Sequence, residues 1–125
     1  MKEQFVSYEI ALKLKELGFD EHCLGIYVSQ QLNPYLMYSS QHDVFMATNN
    51  DGILAPLWQQ VIDWFREKHN VDICINPVRY VGYEEIAYWT YSIMGISPIR
   101  YNKFDKYQDA RETAISKAIE LKKSE

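Results

Sequence analysis

The chain has 125 residues, of which 47% are apolar and 24% charged, a composition that excludes a disordered segment and predicts one globular domain over residues 1–125. Its net charge of −4 at pH 7 argues against general nucleic-acid binding, because an acidic surface repels a phosphate backbone. The sequence has neither a secretory signal nor the roughly 18 consecutive apolar residues of a membrane span, so we expect a cytoplasmic protein that contacts no membrane.

The start of the chain predicts a helix from Ser7 to Leu17. Ser7 is a favourable N-cap residue, because its hydroxyl can accept a hydrogen bond from a free N–H group of the first turn. Gly18 followed by the apolar Phe19 is typical of a Schellman motif, in which glycine takes the left-handed conformation and the next residue folds back on the helix.

The next part of the chain is rich in Tyr, Val, Ile and Leu and favours strands at Gly25–Leu32 and Val44–Thr48. Asn33-Pro34 and the polar residues 39–43 interrupt this part and indicate turns. Residues 49–52 read Asn-Asn-Asp-Gly and are predicted to form a loop that leads into a central helix.

The central segment predicts a helix followed directly by a strand. Pro56 suits a first helical position, where its missing N–H group is no loss, and Asn70 ends the helix. Val71–Ile75 then alternates apolar and polar residues with the period of two that a half-buried strand shows. The apolar face of the helix consists of Leu57, Trp58, Val61, Ile62, Trp64 and Phe65.

Beyond Pro77, alternating aromatic and β-branched residues predict further strands at Val78–Tyr83 and Ile86–Ile93. A helix over Tyr83–Ile93 stays open as an alternative, because Glu84, Glu85 and Ala87 are compatible with one.

The last predicted element is a helix from Lys106 to Lys122, entered through Asp105 with Gln108 as its capping-box partner. Together the elements predict an α+β fold in which three helices pack on a mainly antiparallel sheet of four to five strands, as one two-layer domain.

Three parts of the sequence, residues 5–9 with 14–21, 55–69 and 107–121, together resemble a family of small uncharacterised proteins of phages and prophages in gut and related bacteria. That family carries no assigned activity, so the resemblance implies a role for no individual residue. It implies a mobile-element origin, which favours accessory or host-directed binding roles over metabolic enzymes.

Residues that could support catalysis occur without a recognisable catalytic arrangement. A small enzyme would have to assemble its site around Cys23 or a histidine, namely His22, His42 or His69. The cysteines Cys23 and Cys74 match no metal or redox spacing, and no glycine-rich phosphate loop occurs, so we expect no metal, no cofactor and no enzymatic activity.

A second alternative is a protein that binds single-stranded nucleic acid or a nucleotide. Arg79, Arg100 and Lys103 could contact phosphates while Trp89 and Tyr91 stack on bases. The acidic remainder of the chain argues against this alternative.

The preferred hypothesis is a non-enzymatic protein-binding or inhibitor module. The sequence has ten tyrosines, and tyrosine suits interfaces because its ring can be buried while its hydroxyl stays hydrogen-bonded. We predict that an exposed aromatic surface meets a protein partner or a second copy of the chain. The residues predicted to form it are Tyr80, Tyr83, Tyr88, Trp89 and Tyr91.

Overall fold

A computed structural model describes residues 4–21, 23–28, 30–33, 52–94 and 103–124. The described chain has three helices and five strands, and every strand pair is antiparallel, which confirms the predicted α+β class. The helices are α1 (Tyr8–Glu16), α2 (Trp58–His69) and α3 (Tyr107–Lys123); the strands are β1 (Gly25–Val28), β2 (Gln31–Asn33), β3 (Ile53–Ala55), β4 (Asp72–Val78) and β5 (Tyr88–Met94).

The described strands belong to two sheets, although the sequence predicted one. The first sheet has the order β2-β1-β3 and the second consists of β4 and β5. The chain divides into two compact units, residues 1–61 and 62–125, and the division falls within α2. A single two-layer domain over the whole chain stays a prediction. No described helix has both the length and the apolar character needed to cross a bilayer.

The predicted ends of α1 are confirmed. The Ser7 hydroxyl accepts a hydrogen bond from the Ile10 N–H group at 3.3 Å, as an N-cap should. Gly18 has a φ of 99°, and the buried Phe19 donates its N–H group to the Leu14 carbonyl at 3.0 Å, which completes the Schellman motif.

The first sheet differs from the sequence prediction in its strand boundaries. Gly25–Leu32 was predicted as one strand, but the chain reverses within it, so that Val28 pairs with Gln31 in a tight β1–β2 hairpin. Gln30 lies in this turn with a φ of 65°, a conformation that a sequence without a turn glycine does not reveal. The buried strand β3 was not predicted, and the predicted strand Val44–Thr48 lies outside the described residues.

In the central segment, the predicted helix followed by a strand is confirmed, with shifted boundaries. Pro56 precedes α2 by two residues and was wrongly predicted as its first position. Its carbonyl accepts a hydrogen bond from the Val6 N–H group at 3.0 Å. The helix ends at Asn70, which has a φ of 56°, and β4 begins two residues later.

Strand β4 continues through Pro77, where the sequence predicted a break. Trp89, which lies opposite Pro77, exchanges both backbone hydrogen bonds with Phe104, at 2.8 and 3.0 Å. The backbone polar groups of Trp89 therefore point away from β4, and Pro77 belongs to a pair without mutual hydrogen bonds. Its nitrogen faces the outer edge of the strand, where a missing donor is tolerated.

The other predictions in this unit are partly correct. Strand β5 confirms the later part of Ile86–Ile93 and rules out the alternative helix, whereas of Val78–Tyr83 only Val78 lies in a strand. Lys106, not Asp105, is the N-cap residue of α3, and it makes no side-chain capping bond, so the predicted capping box is wrong. Helix α3 packs on both strands of the second sheet. Its buried face consists of Ala110, Arg111, Ala114, Ile115, Ala118 and Ile119.

Replacing Gly18 with alanine should lower the free energy of unfolding by about 1 kcal/mol, since the left-handed backbone conformation is strained for alanine and unstrained for glycine. No heavy atom lies within 4 Å of an added Cβ atom, so the loss reports backbone strain and not a clash. Urea unfolding checks this, with Lys13→Ala on the exposed side of α1 as the control. Equal losses in the two variants would contradict the prediction.

Candidate functional site: the loop between β4 and β5

Residues 79–87, here called the hairpin loop, join β4 to β5 and expose an unusual amount of apolar surface. Four of the seven exposed large apolar side chains of the described structure lie in these nine residues. Val81 is fully exposed at 101%, Tyr83 is 72% exposed and Tyr80 is 58% exposed, and Ile86 is exposed as well. Grouping of large apolar side chains at one exposed site is typical of a binding surface, whereas single exposed ones need no explanation.

The hairpin loop is braced by hydrogen bonds at its tip and at its base. The Tyr83 N–H group donates to the Tyr80 carbonyl at 3.0 Å and closes a turn around Val81 and Gly82. Gly82 has a φ of 90°, which this position of a type II turn requires and glycine adopts without strain. At the base, the Ala87 N–H group donates to the Val78 carbonyl at 2.7 Å.

A side chain also braces the loop. The Arg79 Nε–H group donates to the Glu84 carbonyl at 2.8 Å, across the exposed part of the loop. These bonds restrict the unbound loop, so a partner has less conformational entropy to remove when it binds.

The five aromatic residues that were predicted to form one surface do not all lie on the same side of the second sheet. Neighbouring residues of a strand point to opposite faces, so Tyr88 lies on one face of β5 while Trp89 and Tyr91 lie on the other. Tyr91 is buried at 4% exposure on the same face as Ile93, and its prediction as an exposed contact residue is wrong. Trp89 is half-buried, and its ring packs edge-on against Tyr107 of α3 at 5.1 Å.

Tyr88 belongs to a small cluster that supports the hairpin loop. Its ring meets the ring of Tyr80 edge-on at 6.3 Å, and the Lys103 ammonium lies 4.9 Å from its ring centre. An ammonium at this distance is attracted by the ring quadrupole. Tyr80 is therefore held by Tyr88 while much of its surface stays in solvent, and of the five predicted residues only Tyr80 and Tyr83 are well exposed.

The two described cations of the nucleic-acid alternative are both engaged within the protein. Arg79 is used within the hairpin loop and Lys103 lies over Tyr88. Arg100 lies outside the described residues. The exposed Glu84 and Glu85 place negative charge beside Arg79, where a phosphate would be repelled.

Cys23 is poorly suited to nucleophilic catalysis. The side chain is buried, and its thiol donates to the Glu21 carbonyl at 3.3 Å. Burial and the nearby Glu21 charge raise the pKa of the Cys23 thiol to about 12, although a hydrogen bond with Gln60 lowers it in part. Almost no thiolate, the reactive form, exists at neutral pH.

The remaining candidates for chemistry give no assembled site in the described residues. His69 packs against the rings of Trp64 at 4.7 Å and Phe65 at 5.6 Å, while His22 and His42 lie outside the description. Within the described ranges, no three His, Cys, Asp or Glu residues converge as metal ligands would. A cavity beside α1 has room for about one water molecule.

Sequence reasoning found Tyr80 and Tyr83 but missed Val81 and Ile86. The available signal was Gly82, which separates Val81 from Tyr83 and favours a turn over the strand that was predicted there.

Comparison with protein-family models, curated proteins and solved structures returned no match. The resemblance to phage and prophage proteins stays a prediction.

The two cysteines should react very differently with a disulfide reagent such as DTNB at pH 8. Cys74 is exposed and should react at once, whereas Cys23 should react only after unfolding, because its thiol is buried and protonated. Cys74→Ser should remove the fast phase and Cys23→Ser the slow one. A fast phase that survives in Cys74→Ser would show that Cys23 is accessible.

Single-stranded oligonucleotides should show no binding that weakens with salt. Labelled pyrimidine and purine strands, titrated with the protein at low ionic strength, should keep the fluorescence anisotropy of the free strand, since the net charge is −4. Salt-sensitive binding that Lys103→Gln weakens would instead support the nucleic-acid alternative.

Proposed function

We propose that this chain is a non-enzymatic protein-binding or inhibitor module that contacts its partner through the hairpin loop. The observation that carries the proposal is the grouping of Tyr80, Val81, Tyr83 and Ile86, all exposed, on one hydrogen-bonded loop. A mobile-element origin, with a host protein as the partner, belongs to the same proposal.

The shape and chemistry of the loop support this function over a purely structural one. A connection without a binding role would gain nothing from four exposed large apolar side chains within nine residues, because apolar surface in water is unfavourable. Tyrosine is enriched among the residues that contribute most to protein interfaces, since it buries a large ring with few rotatable bonds. Tyr80 and Tyr83 flank Val81 and would surround it in an interface.

The scaffold supports the same function. The base of the loop is held by the β4–β5 pairing, which extends over seven residue pairs, and both strands pack on α3. A loop on a rigid hairpin presents its tip with little freedom, as binding loops commonly do.

The proposal is tested by placing a photo-cross-linking amino acid, benzoylphenylalanine, at position 81 of the full chain in its native host. We expect one discrete cross-linked product, because Val81 would lie at the centre of the interface. The matched control carries the same amino acid at position 67, where Glu67 is exposed on α2.

Tyr80→Ser and Tyr83→Ser in the position-81 background should each reduce the product severalfold. The unfolding midpoint should stay unchanged in Tyr83→Ser, whose ring is largely in solvent, and fall slightly in Tyr80→Ser, which loses the ring contact with Tyr88. A product of twice the chain mass would identify a second copy as the partner. Equal products from positions 81 and 67, or no product from position 81, would refute the proposal.

A further inference from the structure

The outer edge of β4, the side of this strand that faces away from β5, presents backbone groups that no described backbone group pairs with. Among the described strands, β4 pairs only with β5. Trp89 lies opposite Pro77 and has its own backbone groups bonded to Phe104, so alternation along the pair directs the N–H and C=O groups of Ile73 and Ile75 to the outer edge. An edge strand of this kind is a template for pairing with another strand.

The apolar face of β4 is only partly covered. Ile73 is buried at 5% exposure, Ile75 is half-buried and Pro77 is exposed. These three residues share one face of the strand, because alternate residues point the same way. A strand added at the outer edge would cover the apolar surface that remains at Ile75, which favours a partner strand that is itself apolar on this face.

A second copy of β4 meets these requirements in one antiparallel register. When Ile73 of each copy lies opposite Ile75 of the other, both residues direct their N–H and C=O groups at each other, and the two-fold axis repeats the pair, so four backbone hydrogen bonds form. A register centred on Ile75 would put Ile73 opposite Pro77, which lacks a donor. A register centred on Ile73 would need the Val71 N–H group, which already donates to the Phe65 carbonyl at 3.1 Å.

The same register is complementary in charge on the exposed face of the strand. It places Asp72 of each copy opposite Asn76 of the other, where the amide can donate to the carboxylate. Like charges are therefore not opposed across the axis. Cys74, which is exposed as well, lies on the axis opposite its own copy, in a pair without mutual hydrogen bonds whose Cα atoms are about 4.5 Å apart.

We propose that two copies of this chain associate through the outer edges of β4 and form one four-stranded antiparallel sheet, with Ile73 opposite Ile75 and Cys74 on the two-fold axis. The ladder extends over residues 72–76 and ends before Pro77, so the interface is small for a specific one and the dimer dissociates on dilution. The association uses a surface other than the hairpin loop and goes beyond the proposed function.

Sedimentation velocity of the full chain under reducing conditions, from micromolar to near-millimolar concentration, should show a reversible equilibrium between monomer and dimer. Asn76→Asp opposes two carboxylates at two symmetric positions and should raise the dissociation constant of the dimer about tenfold. The double variant Asp72→Asn/Asn76→Asp exchanges the two groups and should restore it. Both side chains are exposed, so the circular dichroism of the variants should equal that of the parent chain.

Oxidation of Cys74 tests the register. The reagent is diamide, which takes two electrons and two protons from a pair of thiols, leaves one disulfide and is itself reduced to the hydrazine. Cys74 should form an intermolecular disulfide rapidly, because the expected distance between the Cα atoms lies within the range that a disulfide spans, whereas the buried Cys23 should stay reduced.

The matched control is Cys74→Ser/Asn76→Cys, which moves the thiol two residues along the same exposed face. In the proposed dimer the two Cα atoms at position 76 are about 13 Å apart, too far for a disulfide. This variant should therefore cross-link only slowly.

A chain that stays monomeric at the highest concentration would overturn the inference, and so would a dimer that Asn76→Asp leaves unchanged or equal cross-linking from positions 74 and 76. Tyr83→Ser should leave the dissociation constant of the dimer unchanged, although it should reduce the photo-cross-linked product from position 81. Conversely, Asn76→Asp should not reduce that product when the partner is a host protein. Either proposal can thus fail while the other stands.

Discussion

The antiparallel pairing of β4 with β5, with one face of the pair covered by α3, is the constraint on which the candidate site depends. The pairing runs from Asp72 opposite Met94 to Val78 opposite Tyr88, and therefore determines where the chain leaves the sheet. It also determines which aromatic side chains are available, because alternate residues of β5 lie on opposite faces of the strand pair. Tyr91 and Trp89 contribute to packing, while Tyr88 remains on the other face to support Tyr80.

A glycine and a side-chain hydrogen bond hold the conformation of the hairpin loop, although the loop exposes large apolar side chains. Gly82 allows the turn, and the Arg79 side chain spans the loop to the Glu84 carbonyl. Pro77 has a related role at the strand, since its missing N–H group lies on the outer edge of β4 and makes that position a poor template for a further strand. The edge at Pro77 is therefore poorly suited to the addition of a further strand.

The hairpin loop also carries charged side chains beside its apolar tip. The described loop carries Glu84 and Glu85 against Arg79, whose guanidinium is already bonded to the backbone. The tip itself is mainly apolar, as a surface for a hydrophobic cleft would be.

The sequence alone determined the features that depend on neighbouring residues. The Ser7 cap, the Gly18–Phe19 helix end, the stop at Asn70 and the alternation at the start of β4 follow from local hydrogen bonding and side-chain period, and these predictions are confirmed. The strand type of β5 is confirmed as well, over the later part of the predicted range. Tertiary structure decided what depends on residues distant in sequence. Tyr91 is buried because α3 covers its face of β5, and Pro77 stays within β4 because Phe104 takes the hydrogen bonds of Trp89. Exposure of Val81 likewise follows from where the two strands end: Gly82 indicates a turn at this point, but the sequence does not show which side chains that turn leaves in solvent.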